Sequence, residues 1–75
     1  MTSYAILKKP KNPKDREDDG ARFPTREQAQ MWAEGFYTRF ADLVHSWAVT
    51  ETNDEPNIEV TAEGRLRFLP GAATR

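Results

Sequence analysis

The strongest pattern of apolar and polar positions in this chain lies between Thr25 and Trp47. On a helical wheel turning about 100° per residue, an apolar stripe falls within roughly 60° of Ala29. Its other members are Trp32, Ala33, Phe36, Phe40, Leu43, Val44 and Trp47. The opposite side carries Gln30, Glu34, Thr38 and Asp42. The pattern predicts an amphipathic helix whose stripe supplies most of the core of a small domain.

The sequence marks the start of this helix clearly but not its end. Thr25 is the predicted N-cap, and Gln28 follows at the spacing of a capping box. No glycine, proline or asparagine follows Gly35 before Asn53, whereas residues 46–52 have the β-rich composition of a strand. We predict a helix over 25–45 followed by a strand over 46–52. A helix that continues through 46–52 is the alternative.

A hairpin is predicted over residues 58–68. The three-residue loop Ala62-Glu63-Gly64 places Gly64 at the left-handed position that closes a bulged turn. This register makes two apolar pairs on one face and an opposite-charge pair on the other. The pairs are Val60 with Leu66, Ile58 with Phe68, and Glu59 with Arg67.

One further strand is predicted over Ser3 to Lys8, with Tyr4 and Ile6 on one face. The fold class is therefore α+β, in the order β-α-β-β-β, with one amphipathic helix packed on a small antiparallel sheet of three or four strands. Residues 1–75 form a single domain. Residues 9–21, rich in charge and proline, are predicted to be a mobile loop, and residues 70–75 a loose C-terminal tail.

Composition excludes several kinds of chemistry. The 75 residues include no cysteine and a single histidine, His45, so a disulfide, a thiolate zinc site, a thiol nucleophile and a histidine-based metal cluster are excluded. No apolar run approaches the roughly 20 residues that span a bilayer, and the N-terminus has no signal-peptide pattern. We expect a cytoplasmic protein that is not an enzyme and has no cofactor, metal or membrane partner.

The net charge of −1 hides an asymmetry along the chain. Residues 1–26 hold seven basic and four acidic groups, and residues 27–75 hold four basic and eight acidic groups. A basic end and an acidic end orient the approach of a partner more than they direct folding.

Two patterns in the charged loop resemble known ligand sites. Asp15-x-Glu17-x-Asp19-Gly20 is similar to the start of a calcium loop, but the twelfth position, which requires glutamate, is Arg26. Pro10-x-x-Pro13 is typical of extended segments that dock on aromatic grooves. We interpret both as parts of a solvated loop.

Two candidates for acid–base chemistry lie in the second half of the chain. Glu51, Asp54 and Glu55 form an acidic cluster, but no neighbouring pattern indicates burial or a nucleophile that would separate their pKa values. His45 falls on the polar side of the wheel without a recognisable partner. We interpret them as a solvated turn and an exposed histidine near the helix end.

Two candidate binding surfaces remain. Met31, Tyr37, Thr38 and Arg39 lie on or beside the polar side of the helix and are the predicted contacts to a protein partner. Scattered exposed apolar residues are the alternative interpretation. The other candidates are basic residues near Tyr4 and Phe23 that would contact nucleic acid, although acids in the same segment reduce the local positive charge. These are Lys8, Lys9, Lys11 and Arg22.

The segment Arg22–Trp32, RFPTREQAQMW, is similar to the strand-to-helix junction in the arm-type DNA-binding domain of phage tyrosine integrases. That junction often reads Phe-x-Thr-x-x-Glu-Ala-x-x-Trp, whereas here Gln28 stands between Glu27 and Ala29. The family's domain has three strands before its helix, and its basic strands lie in the DNA groove. One predicted strand precedes the helix here, so no DNA-contacting residue is carried over. The resemblance implies a small phage or mobile-element protein.

Together these patterns favour a non-catalytic protein-binding module, a phage-like inhibitor or accessory protein that occupies a surface of a larger host protein. The alternative is a small nucleic-acid-binding or regulatory protein that uses residues 8–26. A homodimeric structural protein that covers a sheet edge is the third interpretation.

Overall fold

The computed structural model describes residues 1–70, in which one helix packs against antiparallel strands. The elements are β1 (Ser3–Pro10), α1 (Arg26–Arg39), β2 (Val44–Thr52), β3 (Ile58–Val60) and β4 (Leu66–Phe68). A 3₁₀ turn, Ala41–Leu43, joins α1 to β2. The α+β class and the order β-α-β-β-β are confirmed. The predicted loose tail, apart from Pro70, lies outside the described residues.

The four strands form two two-stranded antiparallel sheets, β1 with β2 and β3 with β4, where the sequence suggested one sheet. An irregular segment, residues 17–23, lies between them. Tyr4 and Phe23 exchange both backbone hydrogen bonds at 2.9 Å, and the N–H of Asn57 donates to the carbonyl of Arg22 at 2.9 Å. This segment therefore connects β1 to the start of β3 by backbone hydrogen bonds.

The charged loop predicted over residues 9–21 begins inside β1, which extends through Pro10. Its later part runs beside the strand, where the N–H of Lys8 donates to the carbonyl of Glu17 at 3.0 Å and Leu7 bridges Asp18. Backbone groups on that edge of β1 need partners, and the loop supplies them.

The predicted helix over 25–45 is too long. α1 ends at Arg39, and Phe40, with φ −122° and ψ 50°, leaves the helical conformation. The strand predicted over 46–52 begins two residues earlier, at Val44, and the alternative of a continuous helix is wrong. His45 accordingly lies on β2 and not at a helix end. Pairing with the whole of β1 stabilises the β-rich segment more than another turn of helix would.

The core is correspondingly smaller than the predicted stripe. Its buried members include Ile6, Phe23, Ala29, Ala33 and Ile58, and Phe23 has no exposed surface. Of the stripe residues beyond the helix, Val44 is buried and Trp47 packs against the core from β2. Phe40 and Leu43 are exposed. The helix buries two alanines against the core, while its aromatic side chains Trp32 and Tyr37 pack at the edge of the core and remain partly exposed.

The hairpin register is confirmed pair by pair: Ile58 opposite Phe68, Glu59 opposite Arg67, and Val60 opposite Leu66. Gly64 has φ 81°, the left-handed conformation that glycine adopts without steric cost. An ion pair between Glu59 and Arg67 closes the second face of the hairpin.

Half of the predicted capping box forms. The Thr25 hydroxyl accepts from the N–H of Gln28 at 3.1 Å, as expected for an N-cap. The Gln28 side chain does not return to Thr25; its Oε1 accepts from the N–H of Val60 at 2.8 Å. The first turn of α1 is thereby tied to β3. None of the helices among residues 1–70 is long and apolar enough to cross a membrane.

Candidate protein-binding surface

The aromatic side chains of α1 form a row along one side of the helix. Trp32, Phe36 and Phe40 follow at i, i+4 and i+8, so they lie above one another. The ring centroids of Trp32 and Phe36 are 5.7 Å apart, and those of Phe36 and Phe40 are 5.0 Å apart. Trp32 and Phe36 are half-buried and Phe40 is 46% exposed. The row therefore presents ring surface to solvent as well as to the protein.

The β3–β4 hairpin lies beside this row and adds two apolar side chains. Leu66 and Phe68 are exposed on β4, and Phe68 retains 73% of its accessible surface. Met31, on the first half of α1, is 59% exposed. We call these residues the aromatic surface; its members are Met31, Trp32, Phe36, Phe40, Leu66 and Phe68. Exposed apolar groups collected in this way mark interaction sites on small soluble domains.

Two clefts flank the Trp32–Phe36 ridge. The larger, of about 420 Å³, lies between the ridge and the hairpin, with Phe68 at its wall and Lys8 and Asp19 at its polar end. The smaller, of about 280 Å³, lies between Met31 and Phe40 and is also lined by Val60 and Gly64 of the hairpin. Both clefts are open to solvent, and the rings of Trp32 and Phe36 line both of them.

Two glycines line the smaller cleft. Gly35 lies on the helix surface between Met31 and Phe36, and Gly64 approaches from the hairpin turn. Neither would bring a Cβ within 4 Å of another group, so open space lies above both. Arg39 stands at the rim and supplies a guanidinium group. The cleft is thus an apolar recess with one cationic side.

The four residues predicted to contact a protein partner are only partly brought together. Met31 and Arg39 line the smaller cleft, and Thr38 is exposed on the same helix. Tyr37 lies away from that cleft, stacked on Trp47 at 6.1 Å between centroids and edge-on to Phe36 at 5.1 Å. Tyr37 therefore packs against β2 and lines the larger cleft instead.

Sequence reasoning placed Trp32, Phe36 and Phe40 in the core and so missed them as surface residues. An apolar stripe with 3.6-residue periodicity looks the same in the sequence whether the stripe is buried against a sheet or exposed to solvent. A signal was present in the short lengths of the predicted strands, which offer little area to cover a stripe that includes Trp32, Phe36, Phe40, Leu43 and Trp47.

Arg22, a predicted nucleic-acid contact, is held in an ion-pair network. Its guanidinium donates to both carboxylate oxygens of Asp18, at 2.9 and 2.8 Å, and to Asp54 at 2.8 Å. The hydrogen bond from Arg22 holds the pKa of Asp18 below its ordinary value, and the two carboxylates raise the pKa of Arg22. The side chain of Arg22 is 16% exposed. Arg22 therefore joins the loop to the turn before β3 and has little surface left for a phosphate.

The three lysines do not form one patch. Lys8 and Lys9 are neighbours on β1, so their side chains point to opposite faces of the sheet. Lys8 lies at the larger cleft, on the helix side. Lys11 follows the strand, and its N–H donates to the carbonyl of Leu43 at 3.0 Å. The three lysines, which are close together in sequence, therefore lie on different faces of the folded protein.

The acidic cluster is divided in the same way. Asp54 pairs with Arg22, whereas Glu51 accepts from the hydroxyl of Tyr4 at 3.4 Å from the end of β2. His45 is exposed at the other end of β2. Among residues 1–70, no three histidine, cysteine or carboxylate side chains converge as a metal site would require.

Comparison with protein-family models, with curated proteins and with solved structures gave no match.

Proposed function

We propose that this chain is a non-catalytic protein-binding module that occupies a surface of a larger protein, as an inhibitor or accessory protein does. The observation that carries the proposal is the row Trp32, Phe36 and Phe40, whose rings contact one another yet remain open to solvent. Tryptophan and other large aromatic side chains dominate the binding energy of protein interfaces.

The aromatic surface has the anatomy of an interface centre. The Trp32–Phe36 ridge is rigid, because Trp32 packs against the core and Phe36 contacts the rings of Trp32, Tyr37 and Phe40. Rigid aromatic groups lose little conformational entropy on binding. The flanking clefts receive side chains from the partner, and Leu66 and Phe68 extend the apolar area across the hairpin.

The rim indicates what the partner presents. Arg39 at the smaller cleft favours a carboxylate beside an apolar side chain. Lys8 and Asp19, at the end of the larger cleft, offer one charge of each sign. The partner is therefore a protein whose exposed apolar side chains stand next to an acidic group, and complementary charge at such a rim sets orientation and on-rate.

The experiment is affinity capture from the source cells with the intact chain and two charge-insertion variants. Phe40→Asp places a carboxylate within the aromatic surface, whereas Leu7→Asp places one at a comparably exposed position on β1. Phe40 and Leu7 are 46% and 41% exposed, so the two substitutions are matched in burial. We expect the intact chain and Leu7→Asp to recover the same dominant protein and Phe40→Asp to lose it.

Circular dichroism must show that both variants keep a cooperative melt. Equal recovery of the partner by both variants would place the interface elsewhere. Recovery of nucleic acid in place of protein, lost when Lys8, Lys9 and Lys11 are neutralised together, would favour the alternative function in residues 8–26.

A further inference from the structure

The outer edge of β2 is a long row of backbone groups without a strand partner among residues 1–70. Tyr4 exchanges backbone hydrogen bonds with Phe23 and Lys8 donates to Glu17, so the even-numbered residues of β1 face away from β2. The odd-numbered residues of β1 therefore bond to Thr52, Thr50, Ala48 and Ser46, their partners in the register. His45, Trp47, Val49 and Glu51 alternate with these, so their N–H and C=O groups point outward.

β2 lacks the features that usually protect a free edge. Its nine residues, VHSWAVTET, include no lysine, arginine or proline. The irregularity in the β1–β2 ladder falls beyond Lys9, at the end of the pairing. The other free edge is different, because β4 has three residues and carries Arg67 at its centre. The exposed edge of β2 is thus suited to pairing with another strand.

The side chain of Arg26 touches this edge. Arg26 donates from Nη1 to the carbonyl oxygen of Val49 at 3.4 Å, while its guanidinium lies 5.1 Å from the centre of the Tyr4 ring. That contact is long, and a carbonyl oxygen has a second lone pair for a backbone donor. Arg26 approaches from the helix side of the sheet and leaves the plane of the strand open.

The sequence of β2 is complementary to itself when reversed. We propose that two copies of this chain associate by antiparallel pairing of their β2 edges about a two-fold axis at Ala48. This register places His45 opposite Glu51 of the second copy and Trp47 opposite Val49 of the second copy, all at outward-pointing backbone positions. It joins the two β1–β2 sheets into one four-stranded sheet.

The side chains fit this register on both faces. Across the axis, Ala48 meets its own counterpart, and the small methyl groups allow the close approach of a non-hydrogen-bonded pair. On the helix face, an aromatic ring opposes a β-branched side chain, and an imidazole opposes a carboxylate. Moving the centre by half a residue, to a point between two residues, would set outward-pointing groups of one strand against inward-pointing groups of the other. Centres at Trp47 or Val49 keep the backbone hydrogen bonds but lose the His45–Glu51 pairs.

The test uses purified intact chain in sedimentation equilibrium over roughly 5–500 μM, the range suited to a small, transient interface. We expect a reversible monomer–dimer equilibrium. His45→Glu opposes two carboxylates in each of the two symmetry-related pairs, and Glu51→Lys opposes lysine to histidine. Each variant alone should raise the dimer dissociation constant about tenfold.

The decisive sample is an equimolar mixture of the two variants. A heterodimer of His45→Glu with Glu51→Lys restores an attractive pair at both positions, so association in the mixture should exceed that of either variant alone. Ala48→Lys should abolish dimerisation, because two ammonium groups meet at the axis, whereas Ala62→Lys in the exposed hairpin turn should leave it unchanged.

Three results would overturn the proposal. The intact chain could remain monomeric throughout the concentration range. The mixture of variants could associate no better than its components, which would exclude this register. Dimerisation could survive Ala48→Lys and be lost in Phe40→Asp, which would place the contact between copies on the aromatic surface instead.

Discussion

The side chain of Gln28 binds the backbone of Val60: its Oε1 accepts the N–H at 2.8 Å across 32 positions of sequence. This bond ties the hairpin to the first turn of α1. Gln28→Ala leaves a part-buried N–H unpaired and should destabilise the fold by about 1–3 kcal/mol. Gln28→Glu retains an acceptor and should cost less in the same urea titration. Equal losses for both variants would contradict this role.

Phe23 is buried and Phe40 is exposed, so the same phenylalanine-to-alanine substitution should reduce stability by very different amounts. Phe23→Ala removes a ring with no exposed surface and should cost about 3–5 kcal/mol, close to the whole stability of a domain this small. Phe40→Ala should cost about 1 kcal/mol or less, because that ring is already exposed. Thermal melts followed by circular dichroism separate the two. A folded Phe23→Ala protein together with an unfolded Phe40→Ala protein would contradict this assignment and support the sequence prediction that Phe40 is part of the core.

The two glycines of the smaller cleft should respond in opposite directions to alanine. Gly64 has φ 81°, where a Cβ costs about 1–2 kcal/mol. Gly35 lies in a helix with open space above it, so Gly35→Ala should stabilise the fold by about 0.5–1 kcal/mol. Urea denaturation of both variants measures the difference. Shifts of the same sign would contradict the assigned conformations.

The Asp18–Arg22 pair predicts a specific dependence of stability on pH. The folded-state pKa of Asp18 is lowered by the hydrogen bond from Arg22, so its contribution is complete above the unfolded pKa of about 3.9 and is lost as pH falls through the folded value. Asp18→Asn should therefore be less stable than the intact chain at pH 7, and the difference should shrink below about pH 4. The effect is modest, because the Asp18 carboxylate is partly exposed.

The control for this prediction is Asp42→Asn, since Asp42 is exposed on the 3₁₀ turn. Urea titrations at pH 7, 5, 4 and 3 on the three proteins complete the test. A gap between the intact chain and Asp18→Asn that stays constant down to pH 3 would show that the carboxylate charge of Asp18 contributes nothing to folding.

Local rules predicted the local parts of this fold. The hairpin around Gly64 followed from turn chemistry and charge pairing, and the N-cap at Thr25 followed from its hydroxyl. The helix end could not be predicted in this way, because Val44 to Trp47 fit both the helical stripe and a strand. The choice depends on β1, a partner about 40 residues distant in sequence.

The candidate site depended on the same long-range information. Met31 and Arg39 were found because exposed residues on a polar helix face can be identified from periodicity. Trp32 and Phe36 were assigned to the core because periodicity does not reveal how much sheet is available to cover a helix. Sequence reasoning grouped Arg22 with the lysines, because its ion pair with Asp54 joins residues 32 positions apart and forms only in the folded chain.

The most direct test of the proposed function is the solvent exposure of Trp32 when the captured partner is bound. Trp47→Phe keeps a ring to stack on Tyr37 and leaves Trp32 as the only tryptophan of the chain. Iodide quenching of its fluorescence should be measurable in the free protein, because the Trp32 side chain is partly exposed. If the partner covers the aromatic surface, saturation with a tryptophan-free version of that partner will strongly reduce the quenching constant. Saturated binding with unchanged quenching of Trp32 would contradict it.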